Sequence, residues 1–237
     1  MILYRTLRFC SSFYLRIIHR LIIRGSERLP VTGPVIICAN HTSYLDALLL
    51  SLCTPRQVRF MVFRDFYDHP FLGFFIRRGG GIPVSQNGTD AEAFKTALSV
   101  LKQGNVIGIF PEGRLSRTGL TSQGRPGAAL LAAISGAPLV PVTIAGAFFI
   151  YPKGKMLPRP GNIRVTIHVP VTVEPGRKKD HVYLQYVTDR LMRRIGKMVR
   201  GYYRIRGKKR RTSASRTRRE TNVRTRTTVR PVREGAL

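Results

Sequence analysis

Residues 35–46 read Val35-Ile36-Ile37-Cys38-Ala39-Asn40-His41-Thr42-Ser43-Tyr44-Leu45-Asp46. The first five are a short, uncharged, mostly β-branched run. That is the signature of a strand buried on both faces. Polar residues then break the run, and Ser43 is suited to cap a helix over 44–52. The pattern repeats outward. Strands are expected at 59–62, 82–84, 106–110, 139–144 and 163–169, and helices at 70–77, 90–102, 127–135 and 180–203. Apolar strands interleaved with helices imply an α/β fold: a largely parallel or mixed sheet flanked by helices in a single domain. In such sheets chemistry sits in loops at the carboxyl ends of strands. Two loops meet that rule, 39–46 and Phe110-Pro111-Glu112-Gly113-Arg114.

The 237 residues carry 41 Lys and Arg against 12 Asp and Glu, a net charge of +29. Such a charge points to a polyanionic partner, nucleic acid or an anionic membrane surface. Three scattered cysteines (Cys10, Cys38, Cys53) form neither a disulfide framework nor a zinc site. Residues 204–237 hold 13 Lys and Arg and 2 Glu, few aliphatics and no aromatic. That composition reads as a disordered basic tail. It lacks the interleaved aromatics and the motifs of specific nucleic-acid recognition, so no specific nucleic acid is expected.

Residues 1–24 contain no acid and five arginines (Arg5, Arg8, Arg16, Arg20, Arg24). On a helical wheel Leu3, Tyr4, Leu7, Tyr14, Leu15, Ile18, Leu21 and Ile22 share one arc, and the arginines lie opposite. Phe9, Phe13 and Ile23 interrupt the polar side. This reads as an amphipathic helix lying in a membrane interface. The same pattern fits a helix packed on the domain, or a transit peptide. The chain therefore divides into 1–24, a domain at 25–203 and the tail at 204–237. Residues 127–152 carry no charge over 26 residues, but Gly136, Pro138, Pro141 and Gly146 split them into a buried helix, a turn and a buried strand rather than a membrane span.

His41 and Asp46 are five apart. Within a continuous helix they would point away from each other, so they meet only if the chain turns between them, as a cap at Ser43 would allow. A carboxylate on one imidazole nitrogen fixes the tautomer and raises the basicity of the other. A general base for a hydroxyl needs that arrangement. The same spacing also describes a loop histidine beside a capping aspartate, and His19, His69, His168 and His181 form no metal-ligand spacing with His41. No GxSxG elbow supplies a protein nucleophile. A base without one suggests activation of a substrate hydroxyl. In the second loop Glu112 lies beside Arg114, Arg117 and Arg125, which reads either as an anion site with an orienting carboxylate or as a surface turn with a local ion pair.

These loops resemble the glycerolipid acyltransferase family of the 1-acyl-glycerol-3-phosphate type. Asn40-His41-Thr42-Ser43-Tyr44-Leu45-Asp46 is similar to its NHxxxxD motif, Phe110-Pro111-Glu112-Gly113 to its FPEG motif, and Leu139-Val140-Pro141-Val142 to its proline-centred strand. The resemblance covers about residues 25–175. It implies that His41 deprotonates the acceptor hydroxyl for attack on the thioester of acyl-CoA or acyl-carrier protein, with Asp46 orienting His41. It further implies an acceptor site at Asn40, Phe110, Pro111, Glu112 and Gly113, phosphate contacts from Arg78, Arg114 or Arg125, and no metal or bound cofactor. The family's second motif usually ends in Arg. Here Gly80-Gly81-Ile82-Pro83-Val84-Ser85-Gln86 ends in Gln86, which leaves lysophospholipid and ornithine-lipid acceptors open beside lysophosphatidate. The expected partners are a lyso-glycerolipid, an acyl thioester donor and an anionic membrane, at the cytoplasmic face. The contrasting reading is a non-catalytic protein binding membrane or nucleic acid.

Overall fold

The computed structural model describes residues 2–85 and 91–227. Gln86 and Asp90 lie outside them, as do residues 228–237 of the basic tail. The chain forms two compact units, Met1–Val199 and Arg200–Leu237. In the first, seven strands make one sheet. They are β1 (Ile22–Arg24), β2 (Val35–Ala39), β3 (Val58–Phe63), β4 (Ile82–Val84), β5 (Val106–Ile109), β6 (Leu139–Ala145) and β7 (Arg164–Ile167). Their order is β1-β7-β6-β2-β5-β3-β4. Strands β2 to β6 run parallel, and β7 runs antiparallel to β6 with β1 parallel to it. The sheet is mixed, as expected. Among the described residues of the chain, the α-helices are α1 (Ile2–Ile18), α2 (Asp46–Ser51), α3 (Arg64–Tyr67), α4 (Leu72–Arg78), α5 (Ala91–Lys102), α6 (Gly127–Ser135), α7 (Ala147–Ile150) and α8 (His181–Thr227).

Every residue of β2 and of β6 is buried, because these strands lie inside the sheet with layers on both faces. Pro141 is tolerated in β6 because β7 does not pair there. That ladder starts at Val142, and Pro141 instead accepts the His168 amide at 2.9 Å. On α5 the buried residues are Ala93, Ala97, Val100 and Leu101, one helical face. Since β2, β3, β5 and β6 are parallel, the residues that follow them emerge on one edge of the sheet. The loops after β2 and β5 meet there.

The amino terminus departs from the expected helix over 1–24. α1 stops at Ile18, Arg20 takes a left-handed conformation (φ 41°), and Ile22–Arg24 pair with β7. Leu21 is thereby buried as part of the sheet's core rather than as part of a helical stripe. On α1 Leu15 packs into the core, while Phe9, Phe13, Tyr14, Ile17 and Ile18 remain exposed. Among the described residues, no helix is long and apolar enough to cross a membrane.

The basic stretch continues α8, the helix that begins at His181. Its backbone is helical through Thr227. Residues 204–227 contain no proline, and their one glycine is Gly207, so nothing in the local sequence ends the helix.

Candidate active site

Asn40, directly after β2, is fully buried. Its Nδ2 donates to the Ile144 carbonyl at 2.9 Å, and its Oδ1 accepts the Ile144 amide at 2.8 Å. Both ends of the amide are thus committed to β6. Sequence reading placed Asn40 among the substrate contacts; its hydrogen bonds make it a brace that fixes where the next residue leaves the sheet.

That next residue is His41, whose Nδ1 lies 3.0 Å from Asp46 Oδ2. The same oxygen accepts the amides of Thr42 at 2.5 Å and Ser43 at 2.8 Å. The turn that the sequence demanded exists, but Ser43 does not cap the helix. The helix begins at Asp46, and the Asp46 carboxylate closes the loop by reaching back to the two amides. Ser43 instead donates its hydroxyl to the Tyr151 carbonyl at 2.8 Å, and Tyr44 donates its amide to the same carbonyl at 3.3 Å. Burial pushes the Asp46 carboxyl above its ordinary range, while the hydrogen bond and charge of His41 and the Ser43 and Thr42 amides pull it down. With the Thr42 and Ser43 amides, the His41–Asp46 contact suits the tautomer in which Nδ1 of His41 carries the proton toward the Asp46 carboxylate. In that tautomer Nε2 is the nitrogen free to accept a proton.

The β5–α6 loop grips the backbone of His41. Glu112 Oε1 accepts the His41 amide at 3.2 Å, and the His41 carbonyl accepts the Ser116 amide at 2.7 Å. Glu112 is buried, and its Oε2 takes the amide and hydroxyl of Ser122, both at 2.8 Å. Its partners are backbone and serine, not arginine, so the surface ion pair that the sequence allowed is not what this carboxylate makes. Phe110 stacks on the His41 ring, with centroids 3.9 Å apart and planes 12° apart, and Phe60 stacks behind Phe110 at 6.2 Å. Gly108 in β5 makes this possible, because a Cβ there would come within 2.3 Å of the Phe60 ring.

The remaining expected residues separate. Pro111 is buried; its carbonyl accepts the Arg125 amide at 2.9 Å. Gly113 sits at φ 65°, where side chains are strained, and the Arg125 guanidinium lies across it. Arg114 and Arg125 are exposed on this loop. Arg78 is held elsewhere, at the end of α4, with its guanidinium 5.2 Å over the Phe74 ring. Burial pushes the thiols of Cys38 and Cys53 up to about 12, so neither is a thiolate nucleophile near neutral pH. Sequence reading missed Phe60, Ser116, Ser122 and Tyr151. Only a polar, glycine-broken loop marked the serines, and nothing local marked Phe60 or Tyr151.

A model of the acyltransferase family matches residues 20–145. The chain is 28% identical over 150 residues to the 1-acyl-sn-glycerol-3-phosphate acyltransferase of Bacillus subtilis, covering 63% of this chain and 72% of that one. It is 30% identical over 157 residues to the chloroplastic enzyme LPAT1 of Arabidopsis thaliana, covering 65% of this chain and 44% of that one. The chain thus spans under half the length of that chloroplast relative. The crystal structure of the 1-acyl-sn-glycerophosphate acyltransferase PlsC from Thermotoga maritima superposes with a TM-score of 0.61 at 26% identity. The match covers 73% of this chain and 71% of that one.

Proposed function

This chain belongs to the acyltransferase family, and on that premise we propose that it transfers a fatty acyl group from acyl-CoA or acyl-carrier protein to the free hydroxyl of a lyso-glycerolipid. The acceptor that fits best is 1-acyl-glycerol-3-phosphate, giving phosphatidate, the activity that the curated relatives' names carry. The observation that carries the reading is His41, braced at its amide, its carbonyl, its ring face and Nδ1.

In the proposed step Nε2 of His41 takes the acceptor's hydroxyl proton as the oxygen attacks the thioester carbonyl carbon. The tetrahedral centre collapses, the C–S bond breaks, and the proton passes to the departing sulfur to give a free thiol. Asp46 holds the tautomer and offsets the charge of the imidazolium. The two substrates complete the balance, so the step calls on no metal and no resident cofactor. Arg114 and Arg125 flank the acceptor side with positive charge, with Arg125 lying across Gly113.

Location at an anionic bilayer belongs to the same proposal. Its support is the apolar row Phe9, Phe13 and Ile17 at i, i+4 and i+8 of α1, exposed by 74%, 63% and 57%. Phe71, Leu72, Phe74 and Phe75 on and before α4 add an exposed aromatic patch, with Arg77 and Arg78 stacked on nearby rings. Apolar groups ringed by arginine suit a headgroup boundary.

The test is an assay of the purified protein on vesicles with a panel of lyso-lipids and both thioester donors, reading product mass. His41→Ala should lower turnover by roughly 10²–10⁴. Unchanged turnover in that variant sinks the mechanism, and no product from any lyso-lipid sinks the activity.

A further inference from the structure

β6 ends at Ala145, on the edge of the sheet where His41 lies, and the chain then passes through α7 into residues 151–160. In that loop Met156 is 91% exposed and Leu157 79%. Single apolar side chains on a surface are ordinary. Two neighbours exposed to this degree form an apolar tip. Lys153, Lys155 and Arg159 flank the pair and are exposed, and residues 151–164 contain no Asp or Glu.

The tip is held in shape. The Lys155 amide donates to the Pro152 carbonyl at 3.3 Å, across a turn that Gly154 permits at φ 85°. Tyr151 Oη donates to the Met156 carbonyl at 3.2 Å, and the Arg159 amide donates to the Ile150 carbonyl at 3.0 Å. Pro152, Pro158 and Pro160 restrict the backbone on either side. The base of the loop is tied to the site. The Tyr151 carbonyl accepts Ser43 Oγ at 2.8 Å and the Tyr44 amide at 3.3 Å, and the Tyr151 ring meets the Tyr44 ring edge-on at 5.4 Å. The tip therefore keeps a fixed relation to the His41–Asp46 loop.

We infer that the Met156–Leu157 tip inserts into an anionic bilayer and turns the His41 edge of the sheet toward it. Two side chains are too few for a stable protein partner, which covers about 20–30 residues a side. A headgroup boundary takes up small apolar elements one at a time, while lysine and arginine stems beside them reach lipid phosphates. The inference rests on the bilayer location proposed above and adds a contact on the site's own edge, apart from α1 and α4. Its consequence is that an acceptor lying in the bilayer presents its hydroxyl to His41 without leaving the surface.

The experiment places an environment-sensitive fluorophore on the full chain at Met156→Cys, in a Cys10→Ser background, with Phe13→Cys as the α1 reference. The probe is a vesicle of phosphatidylglycerol and phosphatidylcholine, with and without bromine on the acyl chains. Emission from position 156 should shift to the blue on these vesicles and be quenched by the brominated chains. Unlabelled Met156→Ser/Leu157→Ser should partition onto the vesicles about tenfold more weakly, equivalent to about 1.4 kcal/mol, with its thermal midpoint held. Its turnover of a soluble short-chain acceptor should stay within twofold while turnover of a vesicle-embedded acceptor falls. Aqueous emission from position 156 with quenching at position 13 overturns the inference alone. Aqueous emission from both overturns the bilayer location with it. A blue shift at position 156 on adding acyl-carrier protein, without quenching by the brominated lipid, overturns it in favour of an acidic protein partner. Quenching at position 156 in a protein that acylates no lyso-lipid upholds the tip, and the acyl-transfer reading fails instead.

Discussion

Glu112 holds the backbone of His41. Its Oε1 accepts the His41 amide at 3.2 Å, while its Oε2 accepts the amide and hydroxyl of Ser122 at 2.8 Å. A buried carboxylate is stable when donors satisfy it, and here the donors come from two loops that meet at the carboxyl edge of the sheet. Glu112→Gln puts an amide N–H where an acceptor is required. We expect the unfolding free energy to fall by about 1–3 kcal/mol, the cost of leaving a buried donor unpaired, with turnover falling as well. Ser122→Ala removes one of three bonds and should cost about 1 kcal/mol. Denaturant unfolding compared with initial rates checks both. Equal stability of Glu112→Gln and the unaltered chain contradicts the assignment.

Asp46→Asn replaces the oxygen on which His41 Nδ1 and the Thr42 and Ser43 amides converge. One amide oxygen can still accept, but no carboxylate charge remains to balance an imidazolium. Turnover should fall by roughly 10²–10⁴ with little change in the KM of either substrate. A KM effect alone would make Asp46 a merely structural loop closure.

Gly108→Ala drives a methyl to within 2.3 Å of the Phe60 ring. The ring backs Phe110, which backs His41, so the disturbance should reach the proposed base. Overpacking of this kind costs about 1–3 kcal/mol, and turnover should fall with it. Gly108→Ala combined with Phe60→Leu should recover stability before it recovers activity. Full activity in the single variant would show that the stack does not position His41.

His19 is fully buried, and both its ring nitrogens are without hydrogen-bond partners among the described residues. Tyr14 meets its ring edge-on at 5.3 Å. Burial lowers its pKa from 6.5, so the native state resists a proton that the unfolded chain accepts. The stabilisation is complete above pH 6.5 and is lost as pH falls from there through the lowered native value. His168, lowered by burial and by Arg194 and Arg28, acts in the same direction, and Asp46, raised by burial, acts in the opposite one. The difference between His19→Phe and the unaltered chain isolates His19. The variant should lose stability less steeply below pH 6.5, and parallel curves would refute the assignment.

Phe9→Ser/Phe13→Ser/Ile17→Ser removes the exposed row of α1 without touching Leu15, which packs into the core. Sedimentation with anionic vesicles should drop several-fold, and the thermal midpoint should hold. Undiminished sedimentation would assign membrane contact to another surface. Deleting residues 204–237 should weaken association at low salt, where counterions screen least, and leave turnover of soluble short-chain substrates intact.

Six of the seven strands, most helices and the two loops were legible in sequence because they depend on local pattern. β2, β4 and α6 fall where the apolar runs 35–39, 82–84 and 127–135 place them, since runs bounded by turn residues have little alternative. The pairing of His41 with Asp46 was also legible, as a turn that five residues require. Partners at long range were not. β1 has three residues and no pattern of its own, and it exists because Arg164–Thr166 offer a ladder about 140 residues later. Glu112 carries no sequence mark distinguishing an anion-orienting side chain from one that clasps His41's backbone 71 residues away. Hydrophobic periodicity records what each segment buries. Which segments then meet is decided by closing the sheet, and in this protein that step sets both the bracing of His41 and the surroundings of its proposed substrates.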